Sequence, residues 1–139
     1  MDIKLINYKL YKGKYIAYET KEKGKEYFYD GKISYEGEYL NGKRNGKGKE
    51  YKYGVLVFEG EYLNGRRNGN GKEYKYFGLE YEGEYLDGER HGNGKEYDYF
   101  HRKLFEGEYL NGNKWNGKGK EYFNNNKLLY EGEYKNGVK

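Results

Sequence analysis

Cysteine and proline are absent from this sequence, and serine, methionine and tryptophan each occur once. Without cysteine there is no disulfide framework and no thiolate zinc site, and the redox compartment stays open. The lack of proline counts against disorder, although 35% hydrophobic and 36% charged residues would otherwise suggest a weakly cored chain. No apolar run approaches the roughly 18 residues of a spanning helix. The start, Met1-Asp2-Ile3-Lys4-Leu5-Ile6-Asn7, is too short and polar for a signal peptide, which reads as cytoplasmic. The only serine, Ser34, has no nucleophile elbow around it. His91 and His101 stand alone, so neither a metal site nor a cofactor is expected, and the chain does not read as an enzyme. A net charge of +4 is too mild to predict nucleic-acid binding.

What is present is tyrosine (21) and glycine (23), in register. The segment Tyr35-Glu36-Gly37-Glu38-Tyr39-Leu40-Asn41-Gly42 recurs from Phe58, Tyr81 and Phe105, and a last copy begins at Tyr130. A second block, Gly46-Lys47-Gly48-Lys49-Glu50-Tyr51, follows and recurs from Gly69, Gly92 and Gly117. Starts are 23, 23, 24 and 25 residues apart. A degenerate first copy fits Tyr11-Lys12-Gly13-Lys14-Tyr15, with Gly24-Lys25-Glu26-Tyr27 after it. The reading is a single array over 1–139: an N-terminal cap at 1–34, repeats at 35–57, 58–80, 81–104 and 105–129, and a partial repeat at 130–139.

Inside a repeat the period is two. Tyr35, Gly37 and Tyr39 alternate with Glu36, Glu38 and Leu40, which is a strand pattern. Asn41-Gly42, Asn64-Gly65, Asp87-Gly88 and Asn111-Gly112 supply the positive φ of hairpin turns. A second set of breaks falls at Asp30-Gly31, Gly54, Gly78 and Asn124-Asn125-Asn126. Each repeat is thus two antiparallel strands. The fold class is all-β, an elongated, curved and twisted antiparallel hairpin meander that advances about 10 Å per repeat. Burial must come from stacked rings, with Gly37 and its equivalents leaving room for them.

The run from Tyr35 to Gly48 resembles the MORN (membrane occupation and recognition nexus) repeat in its aromatic, glycine, aromatic, Asn-Gly and Gly-x-Gly positions. Tyrosine at Tyr39, Tyr62, Tyr85 and Tyr109 stands where the family usually has tryptophan, and glutamate at Glu50, Glu73, Glu96 and Glu121 where an aromatic is common. That is similar to the bacterial-type variant. The resemblance implies a MORN-like repeat solenoid with an aromatic groove, used for scaffolding, dimerisation or capture of a partner segment, and phospholipid binding has been proposed for the family.

Four sets of residues are candidates for contact. The rings Tyr39, Tyr62, Tyr85 and Tyr109 are either simply the core or partly open in a groove. Glu50, Glu73, Glu96 and Glu121 face that groove in one register and face outward toward lysines in the register one residue away. Lys43, Arg44, Arg66, Arg67, Arg90 and Lys114 read as a basic loop edge that either meets lipid phosphates or is solvated by neighbouring glutamates. Trp115 lies in a loop one residue longer than its counterparts and either anchors an interface or folds back onto Tyr109. The leading expectation is a non-catalytic module that holds a protein segment in an aromatic groove, as an inhibitor, adaptor or antitoxin-like protein. The alternatives are an anionic membrane surface met by the basic edge, and self-assembly, including a homodimer, through the open C-terminal strand.

Overall fold

In a computed structural model, residues 22–124 and 126–139 are described in full, and 7–11 and 14–18 as strands only. The chain divides into two compact units, 1–67 and 68–139. The first holds β1 (Asn7–Tyr11), β2 (Lys14–Tyr18), β3 (Lys23–Tyr27), β4 (Ile33–Leu40), β5 (Lys43–Lys52) and β6 (Val55–Leu63). The second holds nearly all of β7 (Arg66–Lys75), then β8 (Gly78–Leu86), β9 (Glu89–Tyr97), β10 (Lys103–Leu110), β11 (Asn113–Tyr122) and β12 (Leu128–Tyr134). Within each unit every strand pairs antiparallel with its sequence neighbour, and there is no helix among the described residues. The fold is an all-β antiparallel hairpin meander. Of the degenerate first copy, Lys12 and Gly13 lie outside the described residues, as does Asn125 of the asparagine run.

The two-residue turns follow from their sequences. Asn41 and Gly42 have φ of 51° and 77°, and Asn64, Asp87 and Asn111 with their glycines do the same, as the hairpin turn that matches strand twist requires. So tight a turn starts the return strand at once. Lys43-Arg44, Arg66-Arg67 and Glu89-Arg90 therefore open strands, where the sequence suggested loops. His91 likewise lies in β9.

In each unit the core is a row of rings seated on glycines. Tyr35, Phe58, Tyr81 and Phe105 are at most 1% exposed, and Tyr39, Tyr62, Tyr85 and Tyr109 at most 5%. Gly37 pairs with Gly48, and Gly83 with Gly94. A Cβ on Gly37 would come within 2.5 Å of the Tyr35 hydroxyl, and one on Gly94 within 2.5 Å of the Tyr81 ring. Only a residue without a side chain lets the ring lie on the backbone. Neighbouring rings then meet edge to face: Tyr35 lies 5.5 Å from Tyr39 and 5.2 Å from Tyr62. Tyr81 repeats this with Tyr85 and Tyr109 at 5.5 and 5.2 Å.

Hairpin β10–β11 departs from the pattern. In β4–β5 and β8–β9 the first aromatic of the repeat faces its glutamate, as Tyr35↔Glu50 and Tyr81↔Glu96. Here Phe105 faces Gly119 and Gly107 faces Gly117. The extra residue, Trp115, is taken up as a bulge between the pairs Glu108↔Asn116 and Tyr109↔Lys114, with a net slip of two positions. A slip of two preserves which side chains face the core. Trp115 is thus half-buried within β11 and not in a loop, and its carbonyl accepts the Gly137 N–H at 2.9 Å.

Candidate functional site

The glutamates face the rings, in the register where Glu50 lies opposite Tyr35 on one side and Phe58 on the other. In each repeat the second tyrosine's hydroxyl donates to the glutamate before it. Tyr39 bonds Glu26 at 2.9 Å, Tyr62 bonds Glu50 at 2.6 Å, Tyr85 bonds Glu73, Tyr109 bonds Glu96 at 2.8 Å and Tyr134 bonds Glu121 at 3.2 Å.

The cations close the same carboxylates from above. The Arg44 guanidinium lies 4.2 Å over Tyr35 and bonds Glu26 at 2.6 and 3.0 Å. Arg67 stacks 3.9 Å over Phe58 and bonds Glu50 at 2.8 Å. Arg90 stacks 4.3 Å over Tyr81 and bonds Glu73 at 2.9 Å. Lys114 lies 5.5 Å over Phe105, 3.7 Å from Glu96. Lys139 pairs with Glu121 and lies 5.5 Å over Tyr130. The expected basic loop edge is corrected in part: Arg44, Arg67, Arg90 and Lys114 turn inward onto rings and carboxylates, and Lys43 and Arg66 remain exposed. The reason is register. A two-residue turn places Arg44 directly across from Tyr39 and Arg90 across from Tyr85, on the ring face.

The electrostatics follow from this closure. Burial raises the hydroxyl pKa of Tyr39, Tyr62 and Tyr109, and the charge and hydrogen bond of the adjacent glutamate raise it further. Tyr81 is pushed up to about 12, again chiefly by burial. Burial would raise Glu50, but the hydrogen bond and charge of Arg67, with the Tyr62 hydrogen bond, hold it below the usual carboxylate range. Burial would lower Arg44, and the Glu26 hydrogen bond and charge reverse that. These groups satisfy one another. The arrangement stabilises and orders the face, and it leaves Tyr39, Tyr62, Tyr85 and Tyr109 as core rings.

A different set of aromatics is open. At the turns that join one repeat to the next, Tyr29, Tyr53, Tyr76, Phe77, Tyr99, Phe100 and Phe123 are exposed, Tyr53 by 86% and Phe77 by 87%. In the second unit they gather: Tyr76 lies 6.1 Å from Tyr99, which lies 5.4 Å from Phe100. The Arg102 guanidinium lies 5.2 Å from Phe100 and 3.8 Å from Tyr122, and Asp98 holds it at 2.7 Å. A cleft of about 570 Å³ opens beside them, lined by Tyr99, Phe100, Leu104, Tyr122, Phe123 and Leu129 among others.

These turns are strained. Tyr53, Tyr76, Phe77 and His101 have φ of 50°, 50°, 64° and 62°. Left-handed backbone is uncommon for bulky side chains and costs roughly 1–2 kcal/mol per residue. In the turn after β7 the positive-φ pair is Tyr76-Phe77, and Gly78 opens β8, which corrects the expectation that Gly78 marks the break. No motif singled these residues out. The available signal was an aromatic where a hairpin turn asks for asparagine or glycine.

Among the described residues no group of three or more His, Cys, Asp or Glu could hold a metal, and no helix is long and apolar enough to cross a membrane. Ser34 is buried, and its hydroxyl has no partner among the described residues. Among curated proteins none matches the chain. The MORN repeat family matches at residues 35–54, 58–76, 81–99, 105–127 and 130–139. MORN repeats are non-catalytic modules that generally mediate protein or membrane-lipid interactions. With five matched segments over more than half its length, each carrying the same ring, glycine and turn positions, the chain belongs to the MORN repeat family.

Proposed function

We propose that this chain is a non-catalytic protein-interaction module, acting as an adaptor or inhibitor by covering a partner's surface. Its contact surface is the aromatic side chains of the inter-repeat turns, above all Tyr76, Tyr99 and Phe100. One observation supports this most. Tyr53, Tyr76 and Phe77, which the core does not use, occupy positive-φ positions in solvent, where asparagine or glycine would relieve strain, and the exposed rings of Tyr99 and Phe100 gather beside Tyr76. Large aromatics dominate binding energy at protein interfaces. The charges of Glu73, Arg90, Glu96 and Lys114, each 20–27% exposed, suit a role in selectivity rather than affinity. The test is affinity capture with the intact chain and with a Tyr99→Ser/Phe100→Ser variant of unchanged circular dichroism. Loss of the captured partner is expected. Undiminished capture removes the turn aromatics from the interface.

A second reading is favoured by the lysines beside those rings. Lys75 lies 5.3 Å from the Tyr76 ring, and Lys52 adjoins Tyr53 in sequence. Aromatic and lysine side chains together suit an anionic membrane interface. It requires sedimentation with phosphatidylserine vesicles that weakens steeply with salt. Absence of sedimentation at low salt rejects it.

A further inference from the structure

In the second unit, Tyr81, Tyr85 and Tyr109 are core rings at most 5% exposed, whereas Tyr76 and Tyr99 are 70% and 69% exposed. The ring centroids of Tyr76 and Tyr99 are 6.1 Å apart at an interplanar angle of 70°, so the edge of one phenol points at the other. They sit on two successive inter-repeat turns, with the whole of hairpin β8–β9 between them in sequence.

Both turns are held from behind. Lys75 pairs with Gly78, so Tyr76 and Phe77 alone make the first turn, with φ of 50° and 64°. The turn that carries Tyr99 closes on Asp98. That carboxylate accepts the backbone N–H groups of Phe100 and Arg102 at 2.9 and 3.0 Å and the Arg102 side chain at 2.7 Å.

The two turns also touch. The His101 imidazole lies on the backbone of Gly78, where a Cβ would come within 2.8 Å of it. A glycine there lets the second turn dock on the strand that leaves the first. Backbone positions are thus set, and only the phenol side chains need to move. Exposed side chains change rotamer within picoseconds to nanoseconds, so the carbons ortho to the two hydroxyls sample contact with no rearrangement of the sheet.

We propose that Tyr76 and Tyr99 form an oxidative cross-linking site, at which hydrogen peroxide acting through a haem peroxidase couples the two phenols into an intramolecular dityrosine. Each phenol gives up one electron and one proton, and the two phenoxyl radicals join by a carbon–carbon bond between positions ortho to the hydroxyls. The hydrogens on those carbons then move to the oxygens and restore both aromatic rings. The two electrons and two protons reduce one hydrogen peroxide to two waters. Coupling within the chain outruns coupling between chains, because each phenol meets the other at a local concentration far above that of the protein in solution. The bond joins consecutive repeats covalently in a chain that has no cysteine for a disulfide. The site needs only the two rings and does not rest on a partner meeting them.

The test is oxidation of the intact chain at low micromolar concentration by a haem peroxidase and hydrogen peroxide. Monomer is then separated from larger species, and each is read by dityrosine fluorescence and by mass spectrometry of tryptic peptides. A fluorescent monomer is expected, its peptides 76–90 and 96–102 joined through Tyr76 and Tyr99 and lighter by two hydrogens than their sum. Tyr76→Phe and Tyr99→Phe each keep the ring and remove the hydroxyl, and should lower monomer fluorescence about tenfold. Tyr53→Phe, at a tyrosine 86% exposed in the first unit, should leave it unchanged. No cross-link, fluorescence confined to dimers and larger species, or a monomer signal undiminished in Tyr99→Phe would each overturn the proposal.

Discussion

The meander has two kinds of turn, and they are built to opposite ends. Turns within a repeat carry Asn-Gly or Asp-Gly, the residues that tolerate positive φ at least cost. Turns between repeats put Tyr53, Tyr76, Phe77 and His101 into the same backbone region and expose them. One set serves the fold. The other carries strain for side chains that the fold does not need, which is where interaction energy is most economically placed. The rings of the sheet face, by contrast, are consumed by their own ion pairs.

The comparison can be broken first at the rings themselves. Tyr81→Ala removes a fully buried ring and should cost about 3–5 kcal/mol in urea denaturation. Tyr76→Ala, at a comparably large side chain in a turn, should stay within about 0.5 kcal/mol. Comparable losses would mean that the turn aromatics are structural. Next, Arg90→Ala uncovers Tyr81 and leaves Glu73 without its guanidinium, and about 2 kcal/mol is expected, below the fully buried case because the pair is partly solvated.

Turn exchange sharpens the contrast further. Tyr53→Asn creates an Asn-Gly turn and should raise stability by about 1 kcal/mol, and Asn64→Tyr should lower it by a similar amount. Opposite signs at the two positions are the diagnostic result. Ser34→Ala removes a buried hydroxyl without a partner among the described residues and should stabilise by about 1 kcal/mol or less.

The ring face also predicts a pH profile. Tyr81 has a raised folded pKa of about 12, so its contribution is complete below the ordinary tyrosine value near 10 and is lost as pH rises toward 12. Tyr39, Tyr62 and Tyr109 shift in the same direction. Glu50, held low, contributes above the unfolded carboxylate value near 4 and loses that contribution as pH falls through its folded pKa. Absorbance at 295 nm should show the core tyrosines ionising above the ordinary tyrosine range, together with loss of the sheet signal. Ionisation of Tyr81 in the ordinary tyrosine range with the sheet signal intact would contradict the burial.

Strands, repeat period and within-repeat turns were legible because period two and Asn-Gly pairs are local signals. The facing of Glu50 was open in the sequence, since parity alone cannot choose between faces that both carry charge. Arg44 was obscured by reading residues after Asn41-Gly42 as loop. A two-residue turn centred there already sets Arg44 opposite Tyr39. The strained turns were hidden for a different reason. Glycine is the default breaker, so Gly78 drew attention from the adjacent Tyr76-Phe77. Trp115 was visible as an insertion, but a bulge with a two-residue slip depends on pairing that no single strand encodes.

The clamp on each carboxylate comes from the repeat that follows it, so the chemical unit straddles the sequence unit. A fragment cut after Leu104 would keep Glu96 and lose both Tyr109 and Lys114, which close it. Cutting instead after Asn116 retains both. Well-behaved fragments of this chain should therefore end past the cation, part-way through a repeat, and recombined arrays should be joined at that offset.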